Sequence, residues 1–425
     1  MSNAAVVELR AVAGLEVYRR NPFRLTGLPT DVDRRTARHR QQQLTAVLQV
    51  GADLPEDVTA ADPNELRGAF ERVLGDPRRR LVEELFWLWG SPGAKCRCPR
   101  QVHHEHDEAV RAHSAVLEEE LTDLGRTPHP SAVAKRGVMW VMASRHWDAA
   151  LKSKHFWEHV RHRIDVLDDR QLDRSVVAEL RKELPLALVR PLTDLVAATP
   201  APLRLATIAR KWPVPKRVLE LRLEEIAEPL YDEIHTLASE LIQRLHSEDA
   251  QRIANDVTRV LRPKLNRLEA LVPHAQHRRT ASARERVGIV LNNCATQLIE
   301  TGSVLDGRAA KWLDEAGELA GDTPGADTVA ANKATLDEMR RTLETIRSQV
   351  NYYVGIGSTY SAKAMLRRVR SALGDGPGSY DVDKMLADLG GRRVTEKSGG
   401  RYGWLWWALI GGAAVGALVR WLAGW

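Results

Sequence analysis

Cys96 and Cys98 flank a single arginine, and His103, His104, His106, Asp107 and His113 follow them within the next stretch of chain. Thiolates and imidazoles are the donors that zinc prefers, and a loop could bring two of each together. Cys96, Cys98, His103 and His106 are the set that this spacing offers to a structural zinc. A catalytic zinc is not indicated. His104-Glu105-His106 is too tight for the His-Glu-x-x-His arrangement, in which two imidazoles share one helical face with a glutamate between them. A Cys-x-Cys pair is also narrower than the usual zinc knuckle. The same residues read more simply as a basic surface loop running into a His-rich helix start, with no cofactor at all.

Other chemistry is sparse. The chain has no Gly-rich phosphate loop, no Gly-x-Gly-x-x-Gly dinucleotide turn and no Gly-x-Ser-x-Gly elbow. The expectation is a protein that is not an enzyme. Basic clusters recur at Arg34, Arg35, Arg38, His39 and Arg40, at Arg78 to Arg80, and at His274, His277, Arg278, Arg279, Arg284 and Arg286. Arg34, Arg35, Arg38 and Arg40 would lie along a helix face suited to an acidic protein partner. Aromatic residues able to stack bases are not interleaved with these clusters, which argues against nucleic acid. With 62 basic against 56 acidic residues, the net charge of +6 permits attraction to anionic surfaces without demanding it.

The elements that must position these residues read as helices. At 425 residues the chain exceeds one ordinary core. Aromatics are only 5%, and Ala, Leu, Arg and Glu abound, which favours an all-α fold. Helical periodicity runs from Arg34 to Val50 and from Leu66 to Leu74, with Thr30 or Asp31 as cap of the first. Further helices fall at 106–124, 131–149, 152–167 and 173–197, then as long amphipathic stretches from Lys216 to about Leu373. Ala295, Ala309, Leu313 and Ala316 sit where a tetratricopeptide-like helical pair needs small or apolar residues. The expected organisation is 1–90, a small helical module; 91–200, a helical-pair domain; 201–373, a long-helix domain; 374–403, a flexible tether; and 404–425, an anchor.

That anchor is the clearest compositional signal. Trp404 to Val419 carries no charge. At ~1.5 Å per residue it covers roughly 24 Å, and Trp421 to Trp425 extend it to roughly 33 Å, enough for a ~30 Å hydrocarbon core. Arg420 can snorkel to the surface. Trp404, Trp406 and Trp407 at one end and Trp421 and Trp425 at the other have the placing of interfacial belts. Arg392, Arg393, Lys397 and Arg401 favour keeping the preceding flank cytoplasmic. An interfacial helix, or a tail packed on the protein itself, is the alternative. Gly412 and Gly416 form a Gly-x-x-x-Gly pair through which two such helices could form a homo-oligomer. Three cysteines give no disulfide framework, and the N-terminus has no secretory pattern, so a reducing cytoplasm is expected for the bulk of the chain.

One segment resembles a known family. Asn21-Pro22-Phe23-Arg24-Leu25-Thr26-Gly27-Leu28-Pro29-Thr30-Asp31 looks like the opening of a J-domain, with Thr26 in place of the family's first Leu. Phe70-Glu71-Arg72-Val73-Leu74-Gly75-Asp76-Pro77-Arg78-Arg79-Arg80 resembles its closing "aromatic, x, x, Val-Leu, x, Asp-Pro, x, x, Arg". The resemblance covers about residues 15–90. It implies a four-helix module that engages a DnaK-type chaperone, with the basic helix Arg34 to Val50 as the second helix. The family's His-Pro-Asp tripeptide, which stimulates the chaperone's ATPase, is absent. Leu54-Pro55-Glu56-Asp57 and Asp62-Pro63-Asn64 occupy that region.

Together these features lead to the expectation of a membrane-tethered helical scaffold or adaptor, related to co-chaperones. A membrane-perturbing effector whose Trp-rich tail oligomerises, or a zinc-containing protein, are the alternatives.

Overall fold

A computed structural model describes residues 4–391, apart from 91–95, 127, 171 and 174. Every regular element among the described residues is helical. The chain forms two compact units, Met1–Ile226 and Ala227–Trp425.

The first unit contains α1 (Ala4–Val12), α2 (Pro22–Thr26), α3 (Arg34–Gln49), α4 (Pro63–Leu74) and α5 (Pro77–Glu84). It continues with α6 (Arg100–Thr122), α7 (Pro130–Lys152), α8 (Lys154–Leu167), α9 (Ser175–Ala198) and α10 (Leu203–Ala209). Helix α11 (Lys216–Arg244) carries the boundary between the units.

The starts of α2 to α5 are written in the sequence. Asn21, Asp33, Asp62 and Asp76 each accept a backbone N–H from the first turn that follows, and α2, α4 and α5 open on proline. Each such cap satisfies donors that the helix cannot satisfy itself and contributes about 1 kcal/mol. The cap of α3 is Asp33 and not the expected Thr30 or Asp31, because both of those are engaged elsewhere. Thr30 bonds the Leu88 carbonyl, and Asp31 accepts the Cys96 N–H. Phe23, Leu28, Val32, Ala37, Leu44, Val58, Leu66, Phe70 and Val73 close one apolar cluster inside α2–α4. Gly27 adopts φ +68°, and a Cβ there would stand 2.5 Å from the Asp57 carboxylate, so this turn requires glycine.

No compact-unit border falls at residue 90 or 200. Arg79 pairs with Glu8 at 3.0 Å, Arg10 with Glu183 at 2.8 Å, and Arg204 with the buried Glu120 at 2.7 Å. These links join α5 and α9 to α1, and α10 to α6, within the first unit. Trp140, Trp147 and Trp157 fill its interior, each no more than 2% exposed.

The second unit holds α12 (Ala250–Asp256), a π-helical turn at Val257–Leu261, α13 (Arg262–Leu271), α14 (Arg278–Thr301) and α15 (Arg308–Ala320). It ends with α16 (Gly325–Gly355), α17 (Thr359–Leu373) and α18 (Ser379–Gly391). Ala295, Ala309, Leu313 and Ala316 are all buried where α14 and α15 pair. The helices approach closely, since a Cβ on Gly288 would meet the Ala316 carbonyl at 3.0 Å.

Residues 379–391, expected within the tether, instead form a packed helix. Val382 and Leu389 are buried, and Asp381 accepts from Ser303 Oγ and the Val304 N–H. No helix among the described residues is long and apolar enough to cross a membrane. The expected anchor, residues 404–425, and the tether from residue 392 onward lie outside the described residues.

Candidate metal centre

Beyond α5 the chain makes a tight turn that ends in a stack of rings. Trp89 lies between His106, with ring centroids 3.6 Å apart, and His159, at 3.9 Å. Its indole N–H donates to the Glu84 carbonyl at 2.8 Å. The Asp107 carboxylate accepts the backbone N–H groups of Trp89 at 2.7 Å and Gly90 at 2.9 Å. Burial pushes that carboxyl up, but His106 and these two amides outweigh it and hold it below the ordinary aspartate value. A Cβ on Gly90 would lie 2.9 Å from the Asp107 carboxylate, so the close approach depends on glycine.

The segment that enters α6 carries Cys96 and Cys98. On α8, His159 and His162 are three residues apart and so face the same side. The two pairs meet. Cys96 Sγ is 3.6 Å from His159 Nδ1 and 3.5 Å from His162 Nδ1, and Cys98 Sγ is 3.5 Å from His162 Nδ1. One donor atom from each of the four lies within 4.8 Å of all the others. The Cys98 backbone N–H points at Cys96 Sγ at 3.5 Å, and the Asp31 carboxylate holds the Cys96 N–H at 2.7 Å.

Burial dominates the protonation of these groups. It drives His159 down to about 2, helped by His103 and His106, so this imidazole is neutral. Burial likewise lowers His103. It raises Cys98 to about 11, and neighbouring Cys96 adds to the rise while Arg163 opposes it.

The scaffold behind the cluster is ionic and buried. Arg163, next to His162 on α8, places Nε 2.8 Å from Glu84 Oε2 and Nη2 3.0 Å from Glu84 Oε1. Arg80 donates from Nε to the same carboxylate at 2.9 Å, and from Nη2 to the carbonyls of Thr30 and Val32.

Of the four residues that the sequence suggested as ligands, Cys96 and Cys98 are brought together, whereas His103 and His106 stand apart from the thiol pair. His103 Nε2 lies 3.3 Å from His159 Nδ1, beside the cluster. His106 is occupied by its stack on Trp89 and by the Leu85 carbonyl, 3.0 Å from its Nε2. The imidazoles that join the thiols are His159 and His162. The signal for them was a His-x-x-His pair on a predicted helix, distant in sequence from the cysteines.

On α3, Arg34, Arg35 and Arg38 are exposed; Arg34 donates to the Leu74 carbonyl at 2.8 Å, and Arg40 pairs with Asp57 at 2.7 Å. Trp404, Trp406, Trp407, Gly412, Gly416, Arg420, Trp421 and Trp425 lie outside the described residues. No family model, curated protein or solved structure matches the chain.

Proposed function

We propose that this protein is a non-enzymatic helical adaptor, held at a membrane by residues 404–425, whose N-terminal module docks a DnaK-type chaperone without stimulating it. One observation carries the reading. Helices α2 to α5 form a small capped module with a basic α3, yet the connection between α3 and α4 is a folded turn without His-Pro-Asp. In that connection Asp57 closes on Arg40, Val58 is buried in the module's cluster, and Thr59 donates to the Arg24 carbonyl at 3.2 Å. Such a module retains a charged face for docking and lacks the group that would trigger ATP turnover. Arg35 and Arg38 are exposed charges on that face, and charge pairs at an interface rim govern encounter and specificity. The Trp-flanked apolar tail supplies the membrane attachment, and the packed helices of the second unit supply surfaces for further partners.

The test uses the full chain in detergent with a purified DnaK-type chaperone. Binding is expected, with unchanged ATP turnover and loss of binding on Arg35→Glu with Arg38→Glu. Absence of binding, or stimulated turnover, contradicts the reading.

A further inference from the structure

We propose that Cys96, Cys98, His159 and His162 bind one Zn2+ in a closed tetrahedral site that staples the segment after α5 onto α8. A zinc ion with sulfur at about 2.3 Å and nitrogen at about 2.05 Å sets neighbouring sulfur and nitrogen ligands about 3.5 Å apart at tetrahedral corners. The three sulfur–nitrogen distances here are 3.5, 3.5 and 3.6 Å.

The donor chemistry selects the metal. Two sulfurs and two imidazole nitrogens in tetrahedral array suit zinc, whereas calcium and magnesium require oxygen ligands, of which this set has none. All four corners come from the protein, so no position remains for a reacting water, and the site is structural. Two thiolates cancel the dication, which leaves a half-buried centre without net charge. The Cys98 N–H directed at Cys96 Sγ stabilises that thiolate, and the Trp89 stack fixes the His159 ring, as outer partners do in metal sites.

The staple spans a long stretch of chain. Cys98 and His162 are 64 residues apart, and α6 and α7 lie between them. Closing a loop of that length removes many conformations from the unfolded chain, so metal binding and folding of the first unit are coupled.

Elemental analysis and native mass spectrometry of the reduced full-length chain in detergent test this. The expected result is close to one zinc per chain, retained in Cys294→Ser and His103→Asn and lost, at least tenfold, in Cys96→Ser with Cys98→Ser and in His162→Ala. If the cysteine variant does not fold, wild-type protein exchanged with Co2+ decides. It should show thiolate-to-cobalt charge-transfer absorption, and blocking two thiols should release one metal ion. Wild-type chain that takes up no zinc, zinc that persists in His162→Ala, or a Cys96–Cys98 disulfide in place of metal would overturn the proposal.

Discussion

Arg163 on α8 and Glu84 at the end of α5 meet in the interior of the first unit, 2.8 Å apart, with side chains only 5% and 2% exposed. Arg80 shares the same carboxylate at 2.9 Å. One buried anion therefore holds two buried cations, and the second residues of both partnerships belong to the N-terminal module. The triad joins that module to α8, the helix that also presents His159 and His162.

Replacing Glu84 by Gln removes the carboxylate that both buried guanidinium groups share, although the Asp31 charge still acts on Arg163. Breaking a buried pair in this way costs about 3–5 kcal/mol. Urea denaturation followed by Trp fluorescence should show a loss of that size for Glu84→Gln. A change below about 1 kcal/mol, the range of exposed pairs, would mean that the triad is solvated.

His113 makes the first unit sensitive to acid. Burial lowers its pKa to about 3, and only Nδ1 has a partner among the described residues, the Tyr18 hydroxyl at 2.8 Å. The unfolded chain, with a histidine near 6.5, binds a proton that the folded chain refuses throughout that window, so stability falls as pH drops from 6.5 towards 3. From pH 7 to pH 5 the loss attributable to this residue is about 2 kcal/mol. Denaturation of wild type and His113→Phe at both pH values isolates it. The variant should lose about 2 kcal/mol less than wild type on acidification, and equal losses would place His113 in contact with water.

Gly27 should tolerate no side chain. At φ +68° with the Asp57 carboxylate 2.5 Å from a would-be Cβ, Gly27→Ala combines backbone strain with a clash. The cost is about 1–3 kcal/mol, and the melting temperature of the first unit should fall accordingly. Gly51, also at positive φ but with open space around it, provides the control: Gly51→Ala should carry strain alone and cost less.

Helix α18 offers a test in the second unit. Asp381, 4% exposed, ties the helix to Ser303 and Val304, so Asp381→Ala strands a buried N–H and should destabilise this contact by about 1–3 kcal/mol. Hydrogen exchange should be slow over residues 380–389 in wild type and faster in the variant. Fast exchange in both would return this stretch to the tether.

The helices were largely legible because their punctuation is local. Asn21-Pro22, Asp62-Pro63 and Asp76-Pro77 mark the breaks between helices, and the all-α class follows from composition. What escaped was set by tertiary contact. His159 and His162 join Cys96 and Cys98 only because α8 returns to the segment after α5, a placement that rests on Arg163 and Glu84 and leaves no mark near the cysteines. Helix α18 was hidden by the Gly- and Ser-rich run before it, while its order comes from the burial of Val382 and Leu389 and from Asp381 reaching back to Val304. Asp33 displaced Thr30 and Asp31 as a cap because those two serve contacts that no local pattern encodes.

Flotation of lipid vesicles reconstituted with the full-length chain, in the presence of a purified DnaK-type chaperone, tests the tethered-adaptor account most directly. The chain should float with the vesicles and carry the chaperone with it, and Arg35→Glu with Arg38→Glu should leave the chaperone behind while the chain still floats. A chain that stays at the bottom of the gradient, or one that floats without the chaperone, would contradict the account.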